Sequence, residues 1–126
     1  KTNDSPLILL AEDNDINIMA ISNYLKSKGY QMLIAKDGKE AVDIVLSESP
    51  DLVLMDIQMP RMDGLEAIKQ IRNQNFHDLP IIAVTALNMS NDRQRCLEAG
   101  ANEYLTKPIK LKQLDNMIQD LLISKV

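Results

Sequence analysis

Five short apolar runs punctuate the chain, and each is followed by a stretch of helical period. Leu7 to Ala11, Leu52 to Met55 and Ile81 to Val84 contain no polar residue at all. A strand with one wet face alternates apolar and polar residues, so unbroken runs of this length mark strands covered on both faces. Gln31 to Ala35 fits the same role, and Glu103 to Leu105 is shorter and more polar, as suits an edge strand. Between the runs, Ile18, Ile21 and Leu25 form one apolar stripe, Ala41 to Leu46 a second, and Leu65, Ile68 and Ile71 a third. Arg93 to Ala99 supplies a fourth helix, and Leu111, Leu114, Ile118, Leu121 and Leu122 the fifth. Gly29 and Gly100 close the first and fourth, while Asp37-Gly38 and Asp63-Gly64 open the second and third. Such alternation demands a parallel sheet with helices on both faces and right-handed crossovers. The predicted class is α/β, a doubly wound (βα)5 fold. A closed barrel would need eight units and about twice this length.

At 126 residues the chain reads as one domain, able to bury roughly two-thirds of its unfolded surface without a disulfide or metal staple. No apolar stretch approaches the length of a membrane span. A net charge of −4 and 3% aromatic residues argue against direct nucleic-acid binding, which rests on cationic surface and base stacking. The single Cys96, within a helical pattern, reads as a packed thiol compatible with a reducing compartment. His77, alone in the polar stretch from Arg72 to Leu79, has no second His or Cys to make it a metal ligand. The chain starts at Lys1 without a signal peptide, which suggests a cytoplasmic domain cut from a larger protein, with residues 1–6 as a linker remnant and 7–126 as the folded unit.

All strands of an open parallel sheet point their carboxyl ends at one edge, and residues there converge on one crevice. Asp13, Asp56, Thr85 and Lys107 each stand directly after or just past an apolar run. Carboxylates collect a hard cation such as Mg²⁺, while a hydroxyl and an ammonium suit the oxygens of a transferring phosphoryl group. Each residue also has a blander reading. The acidic run from Glu12 to Asp15 could simply cap the next helix, and Thr85 could bond locally at its strand end. A calcium loop matches Asp13, Asp15 and Asn17 but has Ile18 where Gly is required and Tyr24 where a bidentate Glu belongs. Asp63 reads as a helix cap and Gly64 as room for the backbone to turn. Asp56 resists dismissal, because nothing cationic between Leu52 and Pro60 compensates a carboxylate at the end of so apolar a strand. Lys107 or a bound metal must do so. Lys107 precedes Pro108, and a cis bond there would aim its side chain inward.

Together these residues resemble the receiver domain of bacterial response regulators. The likeness spans the whole chain. Glu12-Asp13 follows the first strand, Asp56 lies inside Leu-Met-Asp-Ile-Gln-Met-Pro-Arg-Met-Asp-Gly (54–64), Thr85-Ala86 end the fourth strand and Lys107-Pro108 follow the fifth. The resemblance implies a flavodoxin-like sheet of order 2-1-3-4-5, an order that rests on it as much as on the pattern. It implies Asp56 as phosphoacceptor, with Thr85 and Lys107 on the phosphoryl oxygens. Mg²⁺ would be held by Asp13, Asp56 and the backbone carbonyl of Gln58, with Glu12 acting directly or through water. Glu12, Asp13 and Asp56 against Lys107 leave about two negative charges, which one Mg²⁺ neutralises. Phosphoryl transfer asks mainly for positioning and charge neutralisation, so a carboxylate suffices as nucleophile. Gln58 and Leu87 resemble the variable positions that control water access to the acyl phosphate. Neither is a carboxylate base, which favours a phosphoryl lifetime of minutes or longer.

Glu-Asp-Asn at 12–14 with Asn17, and Gln-Met-Pro at 58–60, look most like receivers attached to hybrid histidine kinases. The resemblance further implies a switch, in which Thr85 shifts toward the phosphoryl group and Tyr104 fills the vacated space, altering the surface of the fourth helix, fifth strand and fifth helix. A phosphorylation-dependent dimer would use such a change. Tyr104 could equally be an ordinary edge-strand aromatic. Ile16 and Ala20 lie on a different side of the first helix from its core stripe. With Ile109 they would form a docking patch for a histidine kinase or histidine-phosphotransfer domain, although scattered surface apolar residues are normal. The rival enzyme reading is a haloacid-dehalogenase-type phosphatase with Asp13 as nucleophile in Asp13-Asn14-Asp15. It leaves Asp56 without a role and finds no acidic pair after Lys107.

Overall fold

The computed structural model describes residues 5–59, 62–86 and 90–124, with backbone alone at 90–92 and 124. Five βα units follow in order: β1 (Leu7–Ala11), α1 (Asp15–Ser27), β2 (Gln31–Ala35), α2 (Gly38–Glu48), β3 (Leu52–Asp56), α3 (Gly64–Asn73), β4 (Ile81–Thr85), α4 (Ser90–Ala99), β5 (Glu103–Thr106) and α5 (Leu111–Ser124). All strand pairs are parallel and the sheet order is β2-β1-β3-β4-β5. The predicted class and order both hold. So does the edge position of the polar β5.

The apolar runs are continuous because successive side chains enter different cores. Ile8 and Leu10, Leu52 and Leu54, and Ile82 and Val84 face Ile21 and Leu25 of α1 and Leu114 and Ile118 of α5. Their neighbours Leu9 and Ala11, Val53 and Met55, and Ile81 and Ala83 face Ala41, Val42 and Val45 of α2, Ala67, Ile68 and Ile71 of α3, and Cys96 of α4. Cys96 is wholly buried, as a packed thiol should be. Helix starts are capped by side-chain oxygens: Asn14 accepts from the Asn17 N–H, Asp37 from Glu40 and Asp63 from Glu66. The cap of α1 is thus the amide of Asn14 and not one of the acids beside it.

Two expectations need correction. Arg72 belongs to the last turn of α3 rather than to a polar loop. Its guanidinium donates to the carbonyls of Gly100 (2.7 Å), Leu79 (2.7 Å) and Phe76, and to Asn102 Oδ1 (2.9 Å), which also accepts the Ile81 N–H. Gly100 and Asn102, 28 and 30 positions on, leave no local signal. Gly64 serves close approach and not a turn, since a methyl group on it would stand 2.3 Å from the Asp56 carbonyl oxygen.

Candidate functional site

The strand ends bring the predicted residues together. Pairing carries β3 to Asp56, opposite Val84, and β4 to Thr85, opposite Thr106, so both residues are held by the sheet itself. Lys107 follows β5; its N–H donates to the Thr85 carbonyl at 2.7 Å, and its bond to Pro108 is cis. The Lys107 ammonium lies 2.9 Å from Asp56 Oδ2 and 3.3 Å from Glu12 Oε1. It is the cation that the buried Asp56 required.

Glu12 and Asp56 are each 2% exposed, Thr85 is fully buried and Asp13 faces solvent. One carboxylate oxygen from each of Glu12, Asp13 and Asp56 lies within 4.8 Å of the others. Burial, then the charge of Asp56, pushes the Glu12 carboxyl above its ordinary pKa, although the Asn14 N–H and Lys107 oppose this. Burial alone would depress the Lys107 ammonium, but the hydrogen bond and charge of Asp56, joined by Glu12, hold it above its usual value. The donor set fits a hard divalent cation: three carboxylates, one of which, Asp13, is exposed at the rim where a hydrated ion can enter.

Gln58 contributes more than was read from its position. Its N–H donates to Asp56 Oδ1 at 3.0 Å, fixing the carboxylate from the side opposite Lys107, and its side-chain oxygen accepts the Ala86 N–H at 3.2 Å. That strut joins the loops after β3 and β4. Its only sequence signal is an amide two residues past a strand end. Leu87, the other expected water-access position, lies outside the described residues.

Tyr104 is half-buried on β5 opposite Ala83, against the core on the α2–α4 side. Ala20 and Ile109 line a cleft of about 420 Å³ beside Lys107, shared with Asn17, Pro108 and Leu111. Ile16, 78% exposed, stands outside the cleft lining. His77 is exposed. Asp15 and Asn17 sit within α1, which removes the calcium loop, and Asp15 pairs with Lys36 at 2.6 Å. Asp13-Asn14-Asp15 therefore does not act as one carboxylate pair, which disfavours the phosphatase reading.

The chain resembles known proteins over nearly its whole length. Sensor protein GacS of Pseudomonas syringae pv. syringae is 39% identical over 118 residues, a match covering 90% of this chain but 13% of that protein. The receiver domain of sensor histidine kinase PA1611 from Pseudomonas aeruginosa, solved with magnesium in its active-site cleft, shares 39% identity and a TM-score of 0.87, over 94% of this chain and 98% of that one. A co-crystal of the Saccharomyces cerevisiae histidine phosphotransfer protein Ypd1 with the receiver domain of Ssk1 matches at 33% identity and TM-score 0.88, over 96% of this chain and 91% of the matched chain. The family model for the response regulator receiver domain matches residues 8–119, and with the fold and the acidic crevice already described, the chain belongs to that family.

Proposed function

We propose that this receiver domain accepts a phosphoryl group from a phosphohistidine onto Asp56 in a two-component phosphorelay. The observation that carries the reading is a buried carboxylate held by an ammonium at 2.9 Å beside two further acids. Mg²⁺ would be held by Asp13, Asp56 and the Gln58 carbonyl, with Glu12 direct or through water; when bound it neutralises charge on the phosphoryl oxygens. The Gln58 N–H and Lys107 orient the Asp56 carboxylate for in-line attack on phosphorus. One Asp56 oxygen bonds to phosphorus as the phosphorus–nitrogen bond breaks, and the imidazole leaves with the electron pair. Thr85 and Lys107 then contact the phosphoryl oxygens. The domain catalyses only its own phosphorylation and dephosphorylation.

Downstream, Thr85 shifts toward the phosphoryl group and Tyr104 follows, altering the α4–β5–α5 surface and favouring a dimer. Residues 7–126 form the domain and 1–6 a linker. The partner is a histidine kinase or histidine-phosphotransfer domain that docks over Ile16, Ala20 and Ile109. Support comes from the exposed apolar residues next to the Lys107 cleft and from the Ypd1–Ssk1 pair among the structural neighbours. The match to GacS supports a place within a larger hybrid kinase. No helix among the described residues is long and apolar enough to cross a membrane, and a cytoplasmic setting accords with that.

Intact mass after incubation with acetyl phosphate and Mg²⁺ tests the reading. The wild type should gain one phosphoryl mass, mapped to Asp56, and Asp56→Asn none. Label at Asp13 with rapid turnover would favour the phosphatase chemistry instead.

A further inference from the structure

One glycine, Gly64, is stacked against the backbone that carries Asp56, and a second, Gly38, is stacked against Met62 two residues before it. Gly64 donates its N–H to the Ile57 carbonyl at 3.2 Å, and a methyl group on it would stand 2.6 Å from the Ile57 Cα. Two residues earlier, the Met62 carbonyl accepts the Gly38 N–H at 3.0 Å. A methyl group on Gly38 would meet that same oxygen at 2.2 Å and its carbon at 2.9 Å. Both are backbone atoms, so a side chain at 38 cannot be accommodated by a rotamer change. Something larger must move.

Gly38 is on the firmer side of this contact. It is buried in the first turn of α2, next to the buried cap Asp37, whose Oδ1 holds the Glu40 N–H at 2.8 Å. The same helix inserts Ala41, Val42 and Val45 into the core. Met62 lies in the connection ahead of α3, so pressure from position 38 is relieved by displacing Met62 and, two residues on, Gly64. Gly64 bears directly on the Asp56 and Ile57 backbone.

We propose that Gly38 is a positioning residue for phosphoryl uptake: acting through Met62 and Gly64, it sets where the Asp56 carboxylate stands relative to Glu12, Asp13 and Lys107. This rests on the reading of Asp56 as acceptor and of the acids as the cation site. Geometry of this kind is steep, a displacement of about 1 Å being enough to cost on the order of a hundredfold in rate.

The test compares wild type, Gly38→Ala and Val45→Ala, the last a core truncation in the same helix. Mg²⁺ affinity is read by calorimetry and Asp56 labelling by intact mass at saturating Mg²⁺. Gly38→Ala should fold, bind Mg²⁺ about tenfold more weakly and label more slowly. Val45→Ala should lose stability yet match wild type in both readouts. Wild-type behaviour of Gly38→Ala overturns the inference, as does an equal loss in Val45→Ala, which would make the effect one of stability. If Gly38→Ala does not fold, amide exchange in the wild type decides. Linkage requires bound Mg²⁺ to slow exchange at the Gly38 N–H, and unchanged exchange overturns the inference. A wild type that neither binds Mg²⁺ nor labels at Asp56 overturns the functional reading itself, and is told apart because the failure precedes any substitution.

Discussion

At the scale of single residues, the site is a charge problem solved by one ammonium. Glu12 and Asp56 are both buried and both lean on Lys107, which pairs with each. Removing one partner of a buried ion pair leaves an uncompensated charge and costs about 3 kcal/mol. Lys107→Ala should therefore unfold at lower temperature in the absence of divalent cation. The same substitution removes the cation that competes with Mg²⁺, so Mg²⁺ affinity should rise while the rate of Asp56 labelling falls. Calorimetric titration alongside mass labelling checks both directions, and a fall in Mg²⁺ affinity would show that Lys107 organises the acids more than it competes for them. The residues of this cluster were legible because strand ends converge on one edge. The Gln58 side chain was not, since its partner Ala86 lies in another loop.

At the scale of elements, stability depends on polar ties that hold helices to the sheet. Tyr30, just before β2, donates its hydroxyl to Asp115 Oδ1 of α5 at 3.0 Å, and Gln119 donates to the other oxygen at 3.1 Å. Asp115 is buried. Burial, reinforced by the hydrogen bond to Asp115 and its charge, raises the Tyr30 hydroxyl well above its ordinary pKa of 10.0. The folded state thus keeps this proton after the unfolded chain has released it. Stability from Tyr30 is fully present below pH 10.0 and is lost as pH rises toward the folded value. Tyr30→Phe should cost about 1 kcal/mol at neutral pH. It should also flatten the decline in stability above pH 10.0. Urea unfolding of both proteins from neutral to strongly alkaline pH makes the comparison, and parallel curves would deny Tyr30 this role. Neither this tie nor the Arg72 knot was visible in the sequence. Tyr30 and Asp115 are 85 positions apart, Arg72 and Asn102 are 30 apart, and no periodicity links such pairs.

For the whole molecule, the proposed function requires a second protein to bring a phosphohistidine to Asp56. On α1, Ile21 and Leu25 are buried while Ile16 and Met19 are 78% and 64% exposed. Ile16→Glu should block transfer from a phosphorylated histidine-phosphotransfer domain by tenfold or more, about 1.4 kcal/mol or greater, while leaving acetyl phosphate labelling and thermal stability unchanged. Transfer as fast as wild type would move the docking face elsewhere. The pattern of apolar runs and helical stripes by itself determined the layered parallel architecture, because burial on two faces and on one stripe leaves different periodicities in a chain. It also determined which polar residues reach the crevice, because a parallel sheet gathers its strand ends along one edge. Only the tertiary structure decided that Lys107 bridges Glu12 and Asp56, that Gly64 presses on the Asp56 backbone and Gly38 on the Met62 carbonyl, and that Arg72 binds carbonyls from two loops. Those contacts depend on distances between segments remote in the chain, and packing of the complete fold sets such distances.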